Sequence, residues 1–460
     1  MSDALADLDL VALANAIAAG DVTAEAATSS ALEAATRHSA LNAFVRLDPE
    51  GALEAARAAD RRRAASGVSG PLHGVPLAHK DMFYRAGRVT GCGSIVRRDV
   101  VATTTSPLIE RLDAAGAIEI GQLHMAEFAM GPTGHNAHLG RCGNPWNPAA
   151  ISGGSSSGSG AAVGARIVAG ALGSDTGGSV RLPAALCGVV GLKPTHGLLP
   201  QDGMMPLSES LDTAGPLARS SRSVARLLGV LTGGECDYEA TLAQDLRGLT
   251  IGKPTGYFAE DLDPPVATAF DDALRCLADL GARVVDVAFP DGEQYAAMAA
   301  LVWAPEAAAQ HLSWLRDRPG DYGPQVRNRL LHGLAIPAVN HVLARRLRGS
   351  HLAAVLAGPF SLCDVIATPA MRTVTPMASA VEADSGPAMD RVVGGLSALT
   401  RPVSYLGLPA LVTPMGHDAR GLPIGLQLIA RPQDEQSLLT IGACFEAATR
   451  HLDRRPPSAP

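Results

Sequence analysis

The feature that most constrains how this chain folds is a tract of nine small residues at positions 152–160, Ser-Gly-Gly-Ser-Ser-Ser-Gly-Ser-Gly. Glycine and serine tracts usually form flexible linkers. This one is followed directly by an apolar run at residues 161–169, and a solvated linker would not be. The tract therefore belongs to a folded core. The surrounding region, from Pro71 to about residue 216, is also dense in Gly, Pro and Ser.

Outside the tract, strand and helix signals alternate along the chain. A helix begins at Pro107, with Ser106 as its N-cap, because proline suits the first helical position. Four short runs predict strands, and the two that contain Val412 and Leu428 are apolar, as expected for strands buried on both faces. The four runs are residues 117–120, 364–368, 410–413 and 424–429. We expect the third strand to stop at Pro414. Helices between such strands indicate an α/β architecture.

The composition changes at residue 70, and we place the main boundary there. Residues 1–70 are rich in alanine and predict a helical segment that packs on the main domain. Residues 71–456 then form one catalytic domain. The formal net charge of −7 argues against nucleic acid as an obligatory partner, since such binding rests on clustered Lys and Arg.

The cysteine pattern and the apolar runs bear on the compartment. The seven cysteines include no C-x-x-C pair and no Cys/His cluster, which argues against a structural zinc site. A sparse, odd number of cysteines is typical of reduced thiols in the cytosol. We see neither a signal peptide nor an apolar run of membrane-spanning length. We therefore expect a cytoplasmic protein without contact to a membrane.

Three segments in chain order carry the residues with chemical potential. They are Gly-Val-Pro-Leu-Ala-His-Lys-Asp at 74–81, the tract at 152–160, and Gly-Ser-Asp-Thr-Gly-Gly-Ser-Val-Arg at 173–181. Together they resemble the amidase signature family, and the resemblance extends from about residue 71 to residue 430. It implies a single α/β domain in which helices cover a central mixed β-sheet on both sides, with an N-terminal helical segment.

The resemblance also implies a catalytic triad for the hydrolysis of amides. By position Lys80 is the base, Ser155 the bridging serine and Ser179 the nucleophile, and the Gly154–Ser155 peptide bond is cis. The implied enzyme acts on linear amides through a serine acyl-enzyme intermediate and releases ammonia or an amine. It uses no metal and no cofactor.

The lysine base is reasonable on physical grounds. A serine hydroxyl is a poor nucleophile and needs a base. Lysine can serve only when neutral, and its reference pKa is about 10.4. Burial can lower that pKa by about 3–5 units, and Lys80 follows the apolar residues 75–78. Asp81 would oppose the shift, but adjacent residues on an extended chain point apart.

The turn before the nucleophile predicts an oxyanion hole, because glycines let the backbone approach a substrate carbonyl closely. The predicted donors are the backbone N–H groups of Thr176, Gly177, Gly178 and Ser179. Asp175 and Arg181 flank this turn and hold it by charge-assisted hydrogen bonds; alternatively, Arg181 contacts a polar substrate. The other candidate substrate-binding or supporting residues are Met130, Gly131, Gly154 and Ser156.

Two other classes of protein share fragments of these motifs. Ser156 lies at the centre of a Gly-x-Ser-x-Gly sequence, the nucleophile elbow of α/β-hydrolases, which requires a strand just before it. Residues 144–148, Asn-Pro-Trp-Asn-Pro, cannot form that strand. A nucleotide-binding module would need a different glycine spacing and the same missing strand.

The more serious alternative is that the chain is one component of a larger enzyme. The family includes the glutamine-hydrolysing amidase subunit of the tRNA-dependent amidotransferase, and residues 125–131 look much like that subunit. The resemblance to it implies an acidic residue before Pro402 for the amino group of glutamine, whereas residues 396–401 contain none. We therefore favour a free-standing amidase. Its expected partners are a small-molecule amide and, as an option, a second copy in a homodimer.

Overall fold

A mixed β-sheet of eleven strands forms the centre of the computed structural model, which describes residues 2–381 and 386–457. The strand order is β1-β3-β2-β4-β6-β5-β10-β11-β9-β7-β8. The strands are β1 (Phe44–Leu47), β2 (Pro76–Lys80), β3 (Ile118–Leu123), β4 (Gly170–Asp175), β5 (Val190–Lys193), β6 (Thr213–Ala218), β7 (Thr250–Thr255), β8 (Arg283–Ala288), β9 (Val365–Pro369), β10 (Ala410–His417) and β11 (Pro423–Ala430).

Fifteen α-helices within the described residues accompany the sheet. They are α1 (Ser2–Asp7), α2 (Leu10–Ala19), α3 (Ala24–Arg37), α4 (Pro49–Ser66), α5 (Pro107–Ala114), α6 (Ser157–Gly164), α7 (Arg181–Cys187), α8 (Ser221–Leu231), α9 (Pro264–Asp279), α10 (Gly292–Asp317), α11 (Pro324–Ala335), α12 (Ala338–Ala357), α13 (Gly386–Leu396), α14 (Arg401–Leu406) and α15 (Glu435–Thr449).

The middle of the sheet is covered on both faces. Every residue of β2, β4, β5, β6, β9 and β11 is buried. Successive side chains on a strand point to opposite faces, so complete burial requires packing on each side. The predicted α/β class, with a central mixed sheet between helices, is confirmed. No described helix combines the length and apolarity needed to cross a lipid bilayer.

The first 70 residues contribute a strand as well as helices. β1 pairs antiparallel with β3 and adds an edge strand to the sheet, where the sequence indicated only helices. Its burial is partial and non-alternating, with two exposed residues between two half-buried ones. Such a pattern gives no clear strand signal, because only the pairing with β3 fixes it. The division at residue 70 stays a prediction.

The expected end of a strand at Pro414 is wrong, since β10 continues to His417. β10 pairs with β5 only from Ala410 to Val412, and its pairing with β11 shifts register between Pro414 and Gly416. A proline cannot donate to a ladder and is tolerated at a bulge or on a free strand edge. Pro414 lies at the register shift and beyond the last residue of β10 that pairs with β5. The strand can therefore continue through this proline.

The topology brings the three motifs to one edge of the sheet. β2 ends at Lys80, and its parallel neighbour β4 ends at Asp175. The carboxyl ends of parallel neighbours lie at the same edge of a sheet, where α/β proteins commonly bind ligands. α6 begins at Ser157 and α7 at Arg181, so the serine tract and the glycine turn flank this edge.

Candidate active site

Lys80 is the last residue of β2, and its side chain is almost completely buried, with 1% exposed. Its Nζ donates hydrogen bonds to Ser155 Oγ at 2.7 Å and to Ser174 Oγ at 2.8 Å. Lys80 is buried because it ends a strand, β2, whose side chains are covered on both faces of the sheet. The amine therefore lies within one hydrogen bond of the serine tract.

The surroundings of Lys80 favour a neutral amine. Burial lowers the pKa of Lys80 to about 7, and the carboxylates of Asp212 and Asp175 oppose that shift. The adjacent Asp81 carboxylate accepts hydrogen bonds from the backbone N–H groups of Gly91 and Gly93, at 3.3 and 3.4 Å. Near neutral pH a substantial fraction of the Lys80 amine is therefore unprotonated and can accept a proton.

The two key serines lie in different environments. Ser155 is fully buried, and the Gly154–Ser155 peptide bond is cis. Ser179 is partly exposed and faces a cavity that Gly154 also lines. The backbone N–H of Ser156 donates to the Ser179 carbonyl at 3.2 Å, which ties the tract to the glycine turn. Ser155 is thus buried within a hydrogen bond of the Lys80 amine, whereas Ser179 lies at the wall of the cavity.

Asp175 organises the glycine turn. Its carboxylate accepts hydrogen bonds from the N–H groups of Gly178 at 2.7 Å and Val180 at 3.2 Å. The predicted use of Gly178 as an oxyanion donor is therefore wrong, because its N–H is directed at Asp175 and away from a substrate. The N–H groups of Thr176, Gly177 and Ser179 stay as predicted donors.

Arg181 is fully buried and is absent from the described lining of the cavity. Its guanidinium donates to both carboxylate oxygens of Asp175 at 2.9 Å, and also to Gln427 and Ser404. Burial alone would raise the pKa of Asp175, but the guanidinium overcomes this and lowers it to about 2. Of the two roles considered for Arg181, this geometry corresponds to holding the turn.

The remaining predicted residues divide between cavity and scaffold. Met130, Gly131 and Gly154 line the cavity next to Ser179. A side chain on Gly154 would overlap the carbonyl oxygen of Gly131, so this contact requires glycine. Ser156 lies outside the lining, and its Oγ bonds the carbonyl and N–H of Ser174 at 3.2 Å. The hydroxyl of Ser156 thus fastens the tract to β4.

The sequence did not indicate two residues that contact this machinery. Asp212 accepts hydrogen bonds from Thr176 Oγ1 at 2.5 Å and from the backbone N–H of Leu207 at 2.8 Å. Burial raises the pKa of Asp212 to about 6, against the effect of the Thr176 hydroxyl. Ser174 is the second hydrogen-bond partner of Lys80. Ser174 lies within the segment 173–181, but its residue type and position did not single it out there. Asp212 lies outside all three segments, and only the fold brings it to the turn.

The described walls of the cavity at Ser179 carry positive charge and no negative charge. Sixteen residues line it: Ala129, Met130, Gly131, Pro132, Gly154, Thr176, Gly177, Ser179, Leu182, Leu207, Ala299, Trp303, Arg329, Val393, Ser397 and Arg401. The set includes two arginines, whereas aspartate and glutamate do not occur among these described residues. No pattern in the sequence singled out either arginine.

The family follows from this fold, its site and the match of the whole chain. The chain belongs to the amidase family, whose model, described as Amidase, matches residues 26–439. Members of this family are hydrolases that act on carbon–nitrogen bonds, and the predicted resemblance to the amidase signature family is confirmed.

Known proteins resemble the chain over nearly its full length. A curated relative from Bordetella avium (strain 197N), named as one of the subunits of glutamyl-tRNA(Gln) amidotransferase, is 38% identical over 97% of this chain and 97% of its own. A solved structure described as a vestigial protein complex that reveals the origins of an s-triazine catabolic enzyme is 35% identical, with a TM-score of 0.89, over 96% of this chain and 99% of that one. The native peptide amidase from Stenotrophomonas maltophilia is 29% identical, with a TM-score of 0.82, over 98% of this chain and 99% of that one.

These relatives change two expectations. The Bordetella avium protein is named as one subunit of an amidotransferase, and further relatives carry the same name. The expected partners, limited to a small-molecule amide and an optional second copy, are therefore wrong, because a subunit works together with other chains. The same names support the amidotransferase subunit better than the free-standing amidase that the sequence favoured.

Proposed function

We propose that the chain is the amide-hydrolysing subunit of an amidotransferase-type assembly and that Ser179 is its nucleophile. The observation that carries the proposal is the hydrogen bond of 2.7 Å between Lys80 Nζ and Ser155 Oγ, both buried beside the cavity of Ser179. The subunit role is supported by the relatives of that name, which are 37–38% identical. This role requires glutamine as the amide substrate. A subunit that acts with tRNA is expected in the cytoplasm.

The reaction begins when Ser179 Oγ attacks the amide carbonyl carbon. Its proton passes to Ser155 Oγ, and the Ser155 proton passes to the neutral amine of Lys80. The carbonyl oxygen becomes an oxyanion, which the N–H groups of Thr176, Gly177 and Ser179 stabilise. The carbon–nitrogen bond then breaks, and ammonia leaves with the proton that returns from Lys80 through Ser155. Water hydrolyses the remaining ester and regenerates the Ser179 hydroxyl.

Assays of ammonia release test this chemistry. The purified chain should release ammonia from glutamine or another primary amide. Ser179→Ala and Lys80→Met should each lower kcat by at least about 10³-fold, as for other residues that act as one unit. Ser350→Ala, on the exposed surface of α12, is the matched control and should behave as wild type. Wild-type turnover by either active-site variant would exclude the assignment.

A stand-alone amidase is the second candidate. The described lining of the cavity contains no acidic side chain to pair with the amino group of glutamine, and this favours a different amide. A reconstitution experiment separates the two roles. In it, the chain replaces the related subunit in the amidotransferase of Bordetella avium. Formation of glutaminyl-tRNA(Gln) supports the subunit role. Full amide turnover by the chain alone, without transfer to tRNA, supports the stand-alone enzyme.

A further inference from the structure

One turn of the chain, formed by residues 126–130, contacts both the relay serine and the cavity wall. At its start, the backbone N–H of Ala126 donates a hydrogen bond of 3.1 Å to the carbonyl of Ser155. At its end, Met130 lines the cavity of Ser179. A displacement of this turn would therefore move the backbone of the relay group or the wall against which a substrate lies.

The backbone of this turn has an unfavourable conformation. Phe128 and Ala129 have φ angles of 48° and 62°, in the left-handed region that residues with a Cβ atom rarely adopt. Such residues persist only where the surrounding structure fixes them, and they cluster at functional sites. Contacts with other parts of the fold must therefore hold the turn in this shape.

The side chain of Glu127 supplies the polar contacts. It is 2% exposed. Its Oε1 accepts a hydrogen bond of 2.6 Å from Ser94 Oγ, and its Oε2 accepts one of 2.9 Å from the backbone N–H of Gly323. His138 Nε2 lies 2.9 Å from Oε1. An ionised carboxylate, which only accepts hydrogen bonds, suits these partners. One carboxylate thus connects the turn to three distant segments of the chain.

The ring of Phe128 supplies the apolar contacts. Its centroid lies 4.3 Å from that of the His311 ring and 5.8 Å from that of the Tyr322 ring. His311 belongs to α10, and Tyr322 lies between α10 and α11. Neither Phe128 nor Glu127 is among the described residues that line the cavity of Ser179. Any effect of these two side chains on the reaction must therefore act through the turn itself.

We propose that Glu127 is a positioning residue of the reaction, because its carboxylate holds the strained turn that keeps Ser155 and the cavity wall in place relative to Ser179. This inference rests on the catalytic centre of the proposed function. Misplacement of reacting groups by about 1 Å can cost about 10²-fold in rate. If Glu127 only stabilised the protein, its loss would reduce the amount of folded protein but not the rate of each folded molecule.

A fluorophosphonate probe measures the reactivity of Ser179 without a known amide substrate. Ser179 Oγ forms a bond to phosphorus, fluoride leaves, and the serine proton passes through Ser155 to Lys80. The dependence of labelling on probe concentration gives the maximal rate constant and the affinity for the probe separately, and mass spectrometry identifies the labelled serine. An unfolded fraction lowers the amount of labelled protein, whereas a misplaced relay lowers the rate constant.

Glu127→Gln is the main variant. Glutamine has one acceptor oxygen, so either the Ser94 hydroxyl or the Gly323 N–H would face an NH2 group. We expect the maximal rate constant to fall by about tenfold to a hundredfold, while the affinity for the probe stays close to that of wild type. Ser94→Ala removes one donor and keeps the carboxylate. It should lower the rate constant by about twofold to tenfold, the range for one hydrogen bond, and it carries the test if Glu127→Gln does not fold.

Glu446→Gln is the matched control. Glu446, on α15, accepts hydrogen bonds from the backbone N–H and the hydroxyl of Ser221 and from the hydroxyl of Thr413. None of these residues is among the described lining of the cavity. Urea unfolding should show a loss of stability in both glutamate variants, but Glu446→Gln should keep the wild-type rate constant of labelling.

The outcomes separate this inference from the catalytic proposal. Labelling at Ser179 with an unchanged rate constant in Glu127→Gln, or an equal fall in Glu446→Gln, would overturn the positioning role alone. If Glu127→Gln does not fold, an unchanged rate constant in Ser94→Ala would do the same. Labelling that persists in Ser179→Ala would overturn the catalytic centre and this inference with it.

Discussion

The carboxylate of Asp212 accepts a hydrogen bond of 2.5 Å from Thr176 Oγ1 and is also the strongest source of negative charge acting on Lys80. One buried acid thus touches the glycine turn and influences the proposed base. Its other oxygen accepts from the backbone N–H groups of Leu207 and Ser208, so its position is fixed by three donors. The protonation of Lys80 therefore depends on a residue that lies outside all three motifs.

The rate should rise with pH around neutrality. Burial lowers the pKa of Lys80 to about 7, and only the neutral amine can accept the proton of the serine relay. The protonated, inactive form therefore dominates below about pH 7, and kcat/KM should increase through that value and level off above it. Ammonia release, measured at fixed times from about pH 5.5 to pH 9, gives the pH profile of kcat/KM. A rate that falls through this range would contradict a lysine base.

Asp212→Asn should move that profile to lower pH. The Asp212 carboxylate raises the pKa of Lys80, so removal of its charge lowers that pKa further. Asparagine has nearly the same shape as aspartate and keeps an oxygen that can accept from the backbone N–H groups of Leu207 and Ser208. The variant should therefore fold. The same pH series on Asp99→Asn, at a site whose side chain is 87% exposed, serves as the control. An unshifted midpoint in Asp212→Asn would show that the two groups are not coupled.

Loss of Asp175 should strongly destabilise the protein. Asp175→Ala leaves the fully buried guanidinium of Arg181 without its counter-charge, which typically costs about 3–5 kcal/mol. Urea unfolding monitored by fluorescence gives the change in free energy of unfolding. The double variant Asp175→Ala with Arg181→Met should be more stable than Asp175→Ala alone, because it no longer contains the unpaired buried guanidinium of Arg181. A single variant as stable as wild type would contradict the role of the pair.

Gly154→Ala should abolish activity and lower stability. The added methyl group would overlap the carbonyl oxygen of Gly131, a backbone atom that cannot rotate away. Gly349→Ala on α12 is the matched control, because nothing lies within 4 Å of its added methyl group, and it should stabilise the helix by about 0.5–1 kcal/mol. Activity and thermal unfolding of both variants provide the comparison. Full activity in Gly154→Ala would show that the close approach is dispensable.

Local chemistry made a large part of the fold and of the candidate site predictable. Short apolar runs separated by helices indicated the α/β class, because strands buried on both faces need no polar alternation. Lys80 and Ser155 lie in segments whose residue types and order are distinctive, and Lys80 ends a strand in which every residue is buried. Gly178 shows the limit of such motifs, because its N–H donates to Asp175 and the direction of a backbone N–H is set by the turn.

The sequence by itself therefore determined which groups could react, through the lysine after an apolar run and the serines among glycines. The tertiary structure decided what surrounds them. Asp212 is placed against Thr176, and Arg401 against Gly177. These contacts join residues far apart in the chain, and no local pattern of hydropathy or spacing specifies them. Burial and charge depend on all neighbours in space, so the protonation of Lys80 and the charge of the cavity are properties of the folded chain alone.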